Sequence, residues 1–216
     1  MFFGIDHLVF AAERELDPGV VHPLETGGFV HVPGRLRFDE SGLHSHSLAY
    51  AGGGFVEFVY RVGPAAPDAW FAAGRVPRLI GIGVSSDDFE ADTRGWEWTM
   101  DEEQALDDGS VLRIHAAGPH PHLSPLYLFA MDRPDRILDH PQLDATPVLV
   151  ALEFNGAGAS EWHNRLGAWL GRADAIGDVE IRIRETATAG ATVSPVFRCG
   201  SRARVPLALG MIVLEP

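Results

Sequence analysis

The sequence has little of what marks a secreted or a membrane protein. Its 216 residues include a single cysteine, Cys199, which cannot form an internal disulfide and fits a reducing compartment. No apolar run approaches the roughly 20 residues that a membrane-spanning helix needs. The first residues lack the basic segment and the cleavage site of a signal peptide. We therefore expect a cytoplasmic protein with no membrane partner.

Positive charge is also scarce. The chain has 17 lysine and arginine residues and 30 aspartate and glutamate residues, which gives a formal net charge of −13. A field of that sign repels phosphate backbones and anionic lipids, so we expect no nucleic-acid partner. Hydrophobic residues make up 46% of the chain and charged residues 22%, which is typical of a globular protein and excludes wholesale disorder.

Several common catalytic motifs are missing. The chain has no His-Glu-x-x-His, no cysteine pair for a metal, and no Gly-x-Ser-x-Gly of the serine hydrolases. Gly81-Ile-Gly83 lacks the third glycine of the dinucleotide-binding fingerprint. The commonest cues for a zinc protease, a serine hydrolase or a nucleotide-binding enzyme are therefore absent.

Three segments of the chain open in the same way, with a short apolar strand and then a polar or glycine-rich break. They begin near residues 4, 79 and 148, a spacing on the scale of one supersecondary unit. We expect an α+β fold of repeated β-α-β-β-β modules. Residues 1–142 would form a domain of two modules and residues 146–216 an additional module, joined by a linker at 132–146 that is rich in aspartate and proline.

Periodicity locates elements within each unit. A helix is predicted from Ser160, its cap, to Gly171, because four large apolar residues fall on one face. Residues 12–28 predict only a short or broken helix, since prolines and glycines interrupt them. A turn at 51–54 would join two strands and place Leu48 opposite Glu57. A short helix is predicted at 87–95, and the later strands at 29–32, 43–50, 55–62, 111–116, 126–131, 179–184, 193–197 and 207–214.

One group of residues in the first unit suggests metal chemistry. Side chains alternate along a strand, so the predicted register places His46 on the same face as Glu57. Glu57 lies in an apolar run, where a carboxylate is costly unless it is paired, solvated or coordinated, and His7 has a similar setting. Such ligands suit Zn, Fe, Mn or Ni. Alternatively, His7 is a hydrogen-bonded core residue and Glu57 pairs with an arginine.

Two other features have both a functional and a structural interpretation. His120 and His122 lie in a Pro-His-Pro-His loop, which could bind metal or form a rigid turn. Trp70, Trp96 and Trp98 could line a pocket for an apolar ligand, or could simply be packed.

Short motifs in the first two units resemble a known superfamily. Gly4-Ile-Asp-His-Leu-Val-Phe resembles the opening strand of the vicinal oxygen chelate proteins, which include glyoxalase I, the bleomycin resistance proteins and the extradiol dioxygenases. Gly52-Gly-Gly-Phe-Val-Glu-Phe-Val resembles the fourth strand of the same module, where a metal-binding glutamate usually lies. Ser124-Pro-Leu-Tyr-Leu-Phe and Asp139-His-Pro look like the end of the glyoxalase-like domain. The resemblance covers about residues 4–142.

The resemblance implies curled sheets of mixed and antiparallel strands around a cavity with a divalent metal. It places the first and fourth strands of a module side by side and antiparallel, which brings the metal ligands His7 and Glu57 together. The second unit departs from the pattern, because Gly81 or Ile82 lies where a second histidine is expected. His46 is then the best local substitute, as a third ligand or as the catalytic general base.

Two functions follow from the resemblance. The first is a divalent-metal-dependent lyase, isomerase or dioxygenase that acts on a small molecule, with the metal as a Lewis acid. The second is a metal-free protein of the same fold that binds or sequesters a small molecule, which the missing ligands of the second unit favour. Residues 146–216 would complete a second sheet or form a homodimer contact.

Overall fold

The computed structural model contains two β-sheets and three helices within the residues that it describes. These are residues 2–12, 16–32, 36–38, 42–62, 78–86, 88–106, 109, 111–118, 127–132, 147–171, 174–187, 192–200, 202–207 and 210–216. The helices are α1 (Pro18–Thr26), α2 (Phe89–Asp92) and α3 (Ala159–Leu170).

The first nine strands form one mixed sheet, called sheet A below. They are β1 (Phe2–Ala12), β2 (Val30–His31), β3 (Leu36–Phe38), β4 (Leu43–Tyr50), β5 (Gly54–Arg61), β6 (Arg78–Ser86), β7 (Trp98–Leu106), β8 (Val111–Gly118) and β9 (Tyr127–Asp132). Their order in the sheet is β2-β4-β3-β7-β8-β9-β6-β1-β5. β4 also pairs with β5 over its whole length, so the sheet curls back on itself.

The direction of β5 differs from the expectation. β1 and β5, the first and last strands of the first unit, are parallel neighbours, so the antiparallel arrangement is wrong. The reason is the path of the chain. α1 carries it back across the sheet, and both β2 and β5 then pair antiparallel with β4. β5 therefore runs in the same direction as β2 and β1.

The last six strands form a second sheet, called sheet B. They are β10 (Val148–Asn155), β11 (Ala175–Ile176), β12 (Val179–Arg184), β13 (Thr192–Arg198), β14 (Ala203–Leu207) and β15 (Gly210–Glu215), in the order β11-β12-β10-β13-β15-β14. The series β12-β10-β13-β15-β14 pairs parallel, antiparallel, parallel and antiparallel. The series β5-β1-β6-β9-β8 of sheet A pairs in the same directions. The α+β architecture of repeated units is thus confirmed.

The two sheets share one hydrophobic core. The face of sheet A that carries Leu8, Phe10 and Phe58, called the core face, joins one buried cluster with side chains of α1, α3 and sheet B. At the junction, the ring of Phe197 lies 5.1 Å from that of Tyr50, centroid to centroid. Side chains from both predicted domains therefore meet in one core. No helix in the described part of the chain is long and apolar enough to cross a membrane.

Candidate functional site

The turn between β4 and β5 decides which residues share a face with Glu57. Gly52 and Gly53 have φ angles of 91° and 80°, a left-handed backbone that glycine adopts without a steric penalty. They allow a three-residue turn, so Tyr50 pairs with Gly54 and Ser47 pairs with Glu57. The predicted register, with Leu48 opposite Glu57, is wrong by one residue.

His46 consequently lies on the opposite face of the sheet from Glu57. A slip of one residue turns every side chain of a strand to the other face. His46 pairs with Phe58 on the core face, and its ring centroid is 4.6 Å from that of His31. The predicted placement of His46 beside Glu57 is therefore wrong, and its role as a third ligand or general base loses its geometric basis.

His7 and Glu57 lie together on the other face of sheet A, called the site face. In the parallel pairing of β1 with β5, His7 is opposite Phe55 and Val9 is opposite Glu57. The two residues are thus diagonal neighbours on adjacent strands. Both are buried, with 4% of His7 and 5% of Glu57 exposed.

The imidazole of His7 is held on several sides. Its ring stacks on Phe55, with the centroids 4.6 Å apart and an angle of 10° between the planes, and it meets Phe129 edge-on at 5.1 Å. Gly83 lies directly opposite His7 on β6, and a Cβ atom there would be 2.6 Å from His7 Cε1. The Nδ1 atom is 2.6 Å from Oδ2 of Asp6. The ring therefore has one well-defined position.

Glu57 has a carboxylate oxygen without a hydrogen-bond partner. Its neighbours across the strands are Ser47 and Val9, and Oε1 is buried and unpaired among the described residues. No arginine pairs with Glu57 in that part of the chain, so the arginine interpretation has no support there. A buried polar group left unsatisfied costs about 1–3 kcal/mol, and more when it is charged. Such a group is a natural contact for a bound cation or ligand.

The second unit supplies no ligand at the corresponding places of the site face. Gly83 of β6 is opposite His7. Met131 of β9, which pairs with Ser85 of β6, lies where Glu57 lies in the first unit. No cluster of three or more histidine, cysteine, aspartate or glutamate side chains suited to a metal ion is found among the described residues. At these two positions the first unit therefore carries polar side chains and the second unit carries none.

Two residues of this site were not singled out from the sequence. Asp6 precedes His7 in an apolar strand, so the same argument that drew attention to Glu57 applies to it. Gly83 lies inside a strand, where glycine often marks a close approach of another group. Among the other candidates, His120, His122 and Trp70 lie outside the described residues. Trp96 packs against the shared core.

Comparison with known proteins connects this geometry to a fold. No protein-family model matches the sequence, and no curated protein matches it. A hypothetical protein from Staphylococcus aureus aligns over 99% of both chains, with a TM-score of 0.69 and 11% identity. A mutant 4-hydroxymandelate synthase from Streptomyces coelicolor aligns over 93% of this chain and 72% of its own, with a TM-score of 0.56 and 12% identity. At such identities the likeness shows the fold alone, and this chain has the vicinal oxygen chelate fold.

Proposed function

We propose that the site face of sheet A is the active site of a metal-dependent enzyme that acts on a small molecule. The observation that carries the proposal is the buried, unpaired Oε1 of Glu57. Its diagonal neighbour on β1 is His7, whose Nδ1 is already engaged by Asp6. The similarity in fold to 4-hydroxymandelate synthase supports a catalytic role for this fold.

The donor atoms of the site fit a divalent metal. An imidazole nitrogen from His7 and a carboxylate oxygen from Glu57 are ligands that Zn, Fe, Mn and Ni accept. A catalytic centre of this kind often has three protein ligands. Because His7 and Glu57 supply only two, water or oxygen atoms of the substrate would fill the remaining coordination positions. When bound, the metal would act as a Lewis acid towards such oxygens, as a lyase, isomerase or dioxygenase requires.

The protein side chains would position the substrate. Phe55 and Phe129 flank His7, and Met131 and Ala116 pack with Phe129 on the side of the second unit. An apolar part of a small molecule would pack against these side chains, while its oxygens face His7 and Glu57. Burial of both polar residues also keeps water from the reacting atoms, which strengthens electrostatic interactions there.

A second candidate function is metal-free binding of a small molecule. Two positions of the second unit favour it: Gly83 lies opposite His7, and Met131 lies where Glu57 lies in the first unit. In that case Glu57 and His7 would hydrogen-bond the polar end of the ligand directly. The cytoplasmic location, the absence of a nucleic-acid partner and the homodimer remain predictions from the sequence.

Metal content of purified protein separates the two functions. After loading with Zn, Mn, Fe or Ni and removal of excess metal, mass spectrometry should find close to one metal per chain in the wild type. His7→Ala and Glu57→Gln should lose it. His46→Ala is the matched control, because it removes an imidazole from the opposite face, and it should keep the metal. A wild type that retains no metal would contradict the enzyme and support the binding protein.

A further inference from the structure

We propose that Asp6 is a positioning residue that fixes which nitrogen of His7 faces the site. By holding Nδ1, it leaves Nε2 as the nitrogen available to a metal or a ligand. The inference deepens the proposed function and rests on it, since it concerns the same histidine.

A β-bulge brings Asp6 within reach of His7. Ile5 pairs with Val84 of β6, and His7 pairs with the next residue, Gly83. Asp6 is therefore an extra residue in β1, as in a bulge. In a regular strand, adjacent side chains point to opposite faces, and a contact between Asp6 and His7 is not expected. The bulge permits it, and Oδ2 lies 2.6 Å from Nδ1.

The contact determines the tautomer of the ring. An ionised carboxylate can only accept hydrogen bonds, so the hydrogen of His7 lies on Nδ1 and the lone pair on Nε2. Both residues are buried, with 8% of Asp6 exposed, and a charged acceptor makes a strong hydrogen bond.

The other neighbours of the His7 ring cannot determine its orientation within the ring plane. Phe55 and Gly83 restrict the plane of the imidazole. A rotation of 180° about the Cβ–Cγ bond would leave that plane unchanged but would exchange Nδ1 with Cδ2 and Nε2 with Cε1. Only a polar partner distinguishes the two orientations, and Asp6 is the hydrogen-bond partner of Nδ1 that the structure shows. Carboxylates in this role orient metal-binding histidines, and their loss typically lowers metal affinity 10- to 100-fold.

Nitrogen-15 NMR of the metal-free protein tests the inference. Long-range proton–nitrogen spectra of protein labelled in histidine report the tautomer of each ring, and His7→Ala identifies the signals of His7. We expect wild-type His7 to carry its hydrogen on Nδ1. Asp6→Ala, which removes the acceptor, should raise the fraction with the hydrogen on Nε2 and lower the affinity for Mn or Zn 10- to 100-fold. Asp17→Ala is the matched control, because Asp17 caps α1, and it should change neither property.

The outcomes separate this inference from the proposed function. A wild-type His7 with its hydrogen on Nε2, or with an even mixture of tautomers, overturns the role of Asp6 whether or not metal binds, and even if Asp6→Ala fails to fold. An unchanged tautomer in folded Asp6→Ala overturns it as well. If the wild type takes up no Mn or Zn but His7 has the expected tautomer that depends on Asp6, then the metal proposal fails and the positioning role stands.

Discussion

At the scale of single residues, the position of His7 depends on the absence of a side chain at residue 83. The imidazole occupies the space that a Cβ atom of residue 83 would take, with Cε1 at 2.6 Å and Nδ1 at 2.7 Å from that point. Packed interiors adjust little to such an intrusion. A glycine in β6 is therefore as much a part of the candidate site as the histidine that it faces.

We expect Gly83→Ala to displace the ring of His7. The substitution should lower the free energy of unfolding by about 1–3 kcal/mol, the usual cost of overpacking, and should abolish metal uptake if His7 is a ligand. Urea denaturation and metal titration measure the two effects.

Gly81→Ala is the matched control for this prediction. It lies two residues away on the same face of β6, and a Cβ atom there would meet Phe129 Cε1 at 3.2 Å and Val9 Cβ at 3.4 Å. Its effect on stability should be smaller, and metal uptake should persist. Equal effects of the two substitutions would show that β6 tolerates no added side chain, and that Gly83 has no particular relation to His7.

At the scale of elements, α3 begins without a capping side chain of its own. Its N-cap is Gly158, with a φ angle of 90°, and no side-chain cap bond is made; the sequence predicted Ser160 in that role. Instead, the carboxylate of Glu185 accepts a hydrogen bond from the backbone N–H of Ser160 at 2.7 Å. A carboxylate at a helix N-terminus is favourable, because it meets free N–H groups and the positive end of the helix dipole.

The Glu185 contact should make stability depend on pH. Hydrogen bonds from the side chain and backbone of Ser160 lower the pKa of Glu185, so the folded state favours the ionised form. The stabilisation is present above the pKa of Glu185 in the unfolded chain and is lost as the pH falls through its folded pKa. Glu185→Gln should therefore lower the melting temperature at neutral pH and have progressively less effect in acid.

Thermal unfolding from neutral to acidic pH measures this difference. Glu97→Gln removes the same charge from an exposed residue between α2 and β7 and should show no comparable dependence. A difference between wild type and Glu185→Gln that stays constant down to the lowest pH would contradict the assignment of the cap.

At the scale of the whole molecule, the shared core makes the two sheets dependent on each other. Phe197 of sheet B is fully buried, and its ring packs against Phe29 at 4.8 Å and Tyr50 at 5.1 Å. The backbone N–H of Ala51 also donates to the carbonyl of Pro147 at 2.7 Å. Neither sheet buries its apolar face fully without the other, so we expect both to unfold in one transition.

Phe197→Ala tests this coupling. It should cost about 3–5 kcal/mol and leave a single transition, with circular dichroism and tryptophan fluorescence coincident in urea. Tyr50→Phe is the control at the same junction: its hydroxyl is buried without a hydrogen-bond partner among the described residues, so its removal should be neutral or stabilising. Two separate transitions would show that the sheets fold independently.

The sequence by itself determined most of the local elements and the type of fold. A strand-like run located β4 and alternation located β12, both with the bounds that the structure shows. Helical spacing located α3 within a residue or two of its ends, whereas the single strand expected at 207–214 is divided between β14 and β15. These patterns are local, because the polarity of each residue predicts whether its own side chain is buried. The strand β7 was missed, because Asp101, Glu102 and Glu103 are residue types that are rare in strands. Pairing with β3 and β8 holds this segment in the sheet.

Only the tertiary structure decided how the strands pair. Two glycines in a turn set the register that separates His46 from Glu57, and the crossover through α1 makes β1 and β5 parallel. The bulge that joins Asp6 to His7 exists only against β6. A slip of one residue reverses the faces of a strand while its local propensities stay the same. The sequence could therefore name His7 and Glu57 as candidates, and the pairing of distant strands determined which other residues join them.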